Sequence, residues 1–207
     1  MKIKYFYLLL LLCLGVVGIF VWYDNKYLAL PKIKECDMEK FVVENNLQNQ
    51  FVNHDSMLIN FDSISQNKIL LVDFFFTRCG YICPKVTLGV KYLFDNIQPS
   101  MKDNLKVLSF SVDPENDDTH ELKIYRERYQ ISENQNWQHI TGKKGAIYRL
   151  IREQFNVSAT PANKEENDFI HSSQIVLLDQ KQNIRGYYDG TDSLQLQKLL
   201  KNLNQLN

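Results

Sequence analysis

Ile69-Leu70-Leu71-Val72-Asp73-Phe74-Phe75-Phe76-Thr77-Arg78-Cys79-Gly80-Tyr81-Ile82-Cys83-Pro84 is a nearly continuous apolar run followed by two cysteines and a proline. The run has the length and the aromatic and β-branched character of a strand buried on both faces. Pro84 suits the first turn of a helix, and Val86, Val90, Leu93, Phe94 and Ile97 continue at helical spacing up to Pro99. A strand that passes through a cysteine pair directly into a helix sets those thiols at a helix N-terminus. There the unpaired N–H groups and the helix dipole favour thiolate, with Arg78 as a further cation. Cβ atoms at i and i+4 on a regular helix are about 5–6 Å apart. Small loop adjustments would then close a disulfide or let both sulfurs hold one metal ion. Two soft thiolates select Cu(I) or another thiophilic metal.

Further elements follow in order. Leu105 to Val112 reads as a second buried strand, and Thr119 to Tyr129 as a helix with Leu122, Tyr125 and Tyr129 on one face. Lys143 to Phe155 reads as a third helix. Ser173 to Leu178 and Ile184 to Tyr188 read as two strands joined by the polar turn 179–183. A closing helix, capped by Thr191 or Asp192, aligns Leu196, Leu199, Leu200 and Leu203. Upstream, Phe51 to Phe61 is a weak strand or hairpin. A β-α-β unit followed by β-β-α is the thioredoxin order. The expected fold is therefore α/β and thioredoxin-like, with an N-terminal β-hairpin extension and an extra helix.

The most apolar stretch lies outside that domain. Tyr5 to Tyr23 carries no charge and lies between Lys4 and Asp24; as a helix it spans roughly 28 Å, close to the hydrocarbon thickness of a bilayer. Tyr5, Tyr7, Trp22 and Tyr23 would sit at the interfaces. The run is longer than the apolar core of a cleaved signal, and no small-residue cleavage site follows. Residues 1–23 are therefore expected to form one transmembrane helix that stays in place, with 24–45 as a tether and 46–207 as the folded domain. Lysines on both sides of the run leave its orientation open. Cys13 reads as an apolar membrane residue, since Leu10, Leu11 and Leu12 before it lack the small side chains of a lipid-attachment site.

Lys and Arg number 24 against 24 Asp and Glu. A formal net charge of zero gives no electrostatic footprint for nucleic acid. Four methionines are too few for a Met-rich copper tract, and eight glycines with five prolines exclude a collagenous or low-complexity chain.

Thr77-Arg78-Cys79-Gly80-Tyr81-Ile82-Cys83-Pro84 resembles the T-x-C-x-x-x-C-P motif of the Sco/SenC proteins, thioredoxin-like copper chaperones that serve the dinuclear copper centre of cytochrome c oxidase. Ser109-Phe110-Ser111-Val112-Asp113-Pro114-Glu115 resembles that family's S-V-D-P-E segment. Trp137-Gln138-His139-Ile140-Thr141-Gly142 is similar to its W-x-x-L-T-G segment, and His171-Ser172 with the apolar run to Asp179 to its histidine segment. The likeness spans roughly residues 48 to 203. It departs at Ile170, where family members often carry Asp, and at Gly80, where Pro is frequent.

The resemblance implies that Cys79, Cys83 and His171 are the metal ligands. It implies copper as cargo, Cu(I) and also Cu(II), and the copper-bearing subunit of cytochrome c oxidase as partner. It also implies a bacterial inner-membrane location with the domain on the periplasmic side. A metallochaperone does not turn over substrate. The alternative from the same residues is a thiol-disulfide oxidoreductase, with Cys79 and Cys83 as redox pair, that keeps the oxidase's copper-ligand cysteines reduced. His54, His120 and His139 read as surface or packing residues, and Cys36 as unpaired.

Overall fold

The computed structural model describes residues 14–19, 22, 50–131, 136–155, 157 and 173–206. Residues 14–19 and 22 are helical, and Leu14, Val16, Val17, Ile19 and Trp22 are each more than half exposed. The rest of the expected membrane span and tether lies outside the described residues. Among the described residues no helix is long and apolar enough to cross a membrane.

The folded part opens with β1 (Phe51–Asn53), α1 (Phe61–Ser65), β2 (Ile69–Phe75) and α2 (Ile82–Asn96). The short α3 (Pro99–Lys102), β3 (Leu105–Ser111), α4 (Thr119–Arg128) and β4 (Trp137–Gly142) follow. Next come α5 (Lys144–Arg149), which widens into a π turn over Leu150–Gln154, then β5 (Gln174–Leu178), β6 (Ile184–Asp189) and α6 (Ser193–Gln205). Six strands form one sheet in the order β1-β4-β3-β2-β5-β6. β2 runs parallel to β3, and β3 to β4, while β1, β5 and β6 join antiparallel.

β2 lies inside the sheet, and all seven of its residues are buried, as its unbroken apolar run requires. Alternation along it divides the core. Ile69 and Leu71 pack with Val86, Val90 and Leu93 of α2 and with Leu199 and Leu203 of α6. Leu70, Val72 and Phe74 face Phe51, Phe61, Ile147 and Ile151 on the other side. Helices therefore cover both faces, each side-chain set pointing to its own layer.

Two local expectations change and a third is narrowed to one of its alternatives. The weak hairpin is a three-residue edge strand closed by the single antiparallel bridge Val52 to Leu58, after which the chain turns into α1. Trp137 to Gly142, read only as a motif, is β4, which brings β1 into the sheet. The closing helix is capped by Asp192, whose carboxylate accepts the Leu194 N–H at 2.8 Å.

Candidate metal and redox centre

β2 and β3 are parallel and end side by side, with Phe75 opposite Ser111. The loops that leave them, 76–81 and 112–118, therefore meet at one edge of the sheet, the carboxyl end where α/β folds place their chemistry. Cys79 lies in the first loop, and its N–H donates to the Phe76 carbonyl at 3.1 Å. Cys83 is in the first turn of α2, which begins at Ile82 rather than at Pro84. The two are thus not stacked on a regular helix: one sits above the helix N-terminus and the other inside it. Both are free thiols; Cys83 is 5% exposed and Cys79 is half-buried.

The Cys83 N–H donates to Cys79 Sγ at 3.3 Å. Burial pushes the Cys79 thiol up, but donors from the Cys83 side chain and the N–H groups of Cys83, Tyr81 and Ile82 outweigh it and hold the thiol below its ordinary value. Cys83 is pushed far up, first by burial beside Phe75, Leu122 and Tyr125 and then by its hydrogen bond to Cys79. The outer thiol therefore ionises more readily than the inner one. Arg78, expected to lower the thiol directly, instead turns its guanidinium to Asp113 at 2.7 Å.

Two buried acids lie near the junction, Asp73 raising the Cys83 thiol further and Asp117 bonded to Thr77. Asp73, in the middle of β2, is 2% exposed and accepts the Ser109 hydroxyl at 2.6 Å, which in turn receives the Trp137 indole N–H at 2.9 Å. Burial raises this carboxyl to about 7, the Ser109 hydrogen bond only partly opposing it. Asp117 is fully buried and accepts three hydrogen bonds, from Thr77 N–H (3.0 Å), Thr77 Oγ1 (2.5 Å) and Ser111 Oγ (2.5 Å). Sequence reading missed both residues. Only an acid placed among apolar strand positions, as Asp73 is, signals this in one dimension.

The third expected ligand, His171, lies outside the described residues, as do Cys13 and Cys36. Among the described residues no three His, Cys, Asp or Glu side chains are grouped to hold a metal ion. His54 and His139 are buried packing residues, and His139 lies against Phe75, Tyr125 and Trp137. His120 is exposed on α4.

The family model SCO1/SenC matches residues 43–206, most of the chain. The chain belongs to the SCO1/SenC family. A SCO1 protein homolog of Bacillus subtilis is 29% identical over 144 residues, 69% of this chain and 72% of that protein. Among solved structures, BsSco, a member of the Sco family of cytochrome c oxidase assembly proteins with a disulfide switch, superposes with TM-score 0.67 at 26% identity. The match covers 82% of this chain and 95% of that one. A SCO1/SenC family lipoprotein from Bacillus anthracis gives TM-score 0.68 at 24% identity over 84% and 98%. Bradyrhizobium japonicum ScoI, solved with copper bound, shares the fold at 18% identity and TM-score 0.60, over 76% and 96%. The mixed sheet with helices on both faces is the thioredoxin-like fold of these Sco structures.

Proposed function

We propose that this Sco protein is a membrane-anchored copper chaperone. Cys79, Cys83 and His171 would hold the ion, and the dinuclear copper centre of cytochrome c oxidase would receive it. The observation that carries the reading is the unequal dithiol at the β2–α2 junction of a SCO1/SenC domain. A half-exposed Cys79 with a lowered thiol pKa opens the site to ligand exchange, and a buried Cys83 retains the second sulfur bond. Two thiolates with one imidazole form a soft set suited to Cu(I), and the imidazole adds the nitrogen that Cu(II) prefers. The uncharged run 5–23 supports an anchor, and Leu14, Val16, Val17 and Ile19 within it are each more than half exposed, as side chains facing lipid would be; residues 46–207 would lie outside the cytoplasm.

The test is a copper titration of the reduced chain against a chelator. About one Cu(I) per chain is expected, with Cys79→Ser or Cys83→Ser nearly abolishing retention and His171→Ala weakening it while leaving a two-sulfur site. His171→Ala should cost more for Cu(II). Absence of binding, together with rapid reduction of a protein disulfide, would move the assignment to the second reading. That reading, a thiol-disulfide oxidoreductase, is favoured by one observation: the low-pKa thiol is the accessible one, as an attacking cysteine must be.

A further inference from the structure

Two arms from the 113–117 turn reach the residues just before Cys79. One is the Arg78–Asp113 ion pair, and Arg78 is 61% exposed, so solvent screens it and its worth is small. The other is Asp117, which is fully buried. One of its oxygens takes the Thr77 N–H and the Ser111 hydroxyl, and the other takes the Thr77 hydroxyl. The turn that presents it is itself fixed, since Asn116 N–H and Asp117 N–H both donate to the Asp113 carbonyl and Val112 N–H donates to Phe75 O. Beyond Cys79 the loop has no buried side-chain clamp among the described residues: a Cβ at Gly80 would meet nothing within 4 Å, and Tyr81 is 70% exposed with the Lys85 ammonium 4.0 Å over its ring. The loop therefore has one fixed half and one open half, and its position is set where Thr77 meets Asp117.

We infer that Asp117 is a positioning residue. By holding the N–H and the hydroxyl of Thr77 it places Cys79 over the α2 N-terminus, in register with Cys83, for metal binding and for disulfide closure. This rests on the reading of Cys79 and Cys83 as the working pair. The role is geometric rather than a matter of charge. An asparagine can keep its oxygen on Thr77 N–H and Ser111 O–H and turn its amide toward Thr77 Oγ1, which then accepts. Preorganised supporting groups of this kind tune ligand sets without touching the ion.

The full-length reduced chain in detergent tests this with two readouts: Cu(I) competition against a chelator, and the Cys79–Cys83 dithiol–disulfide equilibrium in a glutathione buffer. Asp117→Ala and Thr77→Val should each weaken Cu(I) about tenfold and shift the redox equilibrium toward dithiol by a similar factor, since the thiols lose effective concentration. Asp117→Asn should restore both to within about threefold, and Arg78→Ala should change them by no more than that. Asp118→Ala removes the neighbouring cap of α4 and should lower the thermal midpoint while leaving both readouts unchanged. Asp117→Ala that loses only thermal stability, or Asp117→Asn that behaves like alanine, overturns the inference. If Asp117→Ala does not fold, Thr77→Val decides. If the wild-type chain binds no copper, the chaperone reading fails, and the glutathione equilibrium still judges the clamp.

Discussion

Cys79 and Cys83 share one chemistry and are separated by their surroundings. Three backbone N–H groups of the helix entry and the Cys83 side chain stabilise the Cys79 thiolate, while Cys83 stands among Phe75, Leu122 and Tyr125. A limiting alkylating reagent near neutral pH should therefore modify Cys79 first, and peptide mass spectrometry showing equal labelling would contradict the asymmetry. Because the folded Cys79 pKa is depressed, its contribution to stability is present above the ordinary thiol value and is lost as pH falls through the folded one. Asp73 has the opposite sign. Its folded pKa is raised from 3.8 to about 7, so its proton favours the folded state fully below 3.8, and that contribution disappears as pH rises through about 7. Asp73→Asn keeps an acceptor for Ser109 without the buried charge. It should raise stability at pH 8 by roughly 1–3 kcal/mol and flatten the profile between about pH 4 and 7 in denaturant titrations. An unchanged pH profile would show that Asp73 does not titrate in that window.

At the scale of elements, α2 carries the site and must lie close to α6. A Cβ on Gly89 would come within 2.6 Å of the Gly190 carbonyl and 3.0 Å of Leu196. Backbone on one side and a packed core residue on the other leave no room to yield. Gly89→Ala should destabilise by roughly 1–3 kcal/mol in chemical unfolding, although alanine is the better helix former; a stabilised variant would refute the close approach. β4 shows why some elements escape one-dimensional reading. Trp137-Gln138-His139-Ile140-Thr141-Gly142 mixes polar and apolar residues, yet all but Gly142 are buried. Two of its polar members meet partners elsewhere in the chain: Gln138 Oε1 accepts from Asn53, and His139 Nδ1 meets Arg126 at 3.1 Å, while the buried Thr141 hydroxyl has no hydrogen-bond partner among the described residues. Periodicity registers hydrophobicity, so it finds β2 and passes over a strand whose burial depends on distant hydrogen bonds.

The whole molecule is proposed to comprise an anchor, a tether and a domain with separate stabilities. Removing residues 1–45 should leave the thermal midpoint of the remainder within about 5 °C of that of the full chain, by calorimetry. It should also move the protein from the membrane to the soluble fraction. A full-length chain recovered as soluble would count against the anchor. From the sequence alone came the strand–cysteine–helix junction, the order of the main elements except β4, and the family likeness, because a doubly buried strand and a helix entry are written in contiguous residues. Tertiary structure alone decided that the cysteines are unequal, that Arg78 serves Asp113 rather than a thiol, and that Asp117 holds Thr77. Each depends on loops that parallel strands bring together from positions 35 to 40 residues apart, and burial and hydrogen-bond partners exist only once that approach has been made.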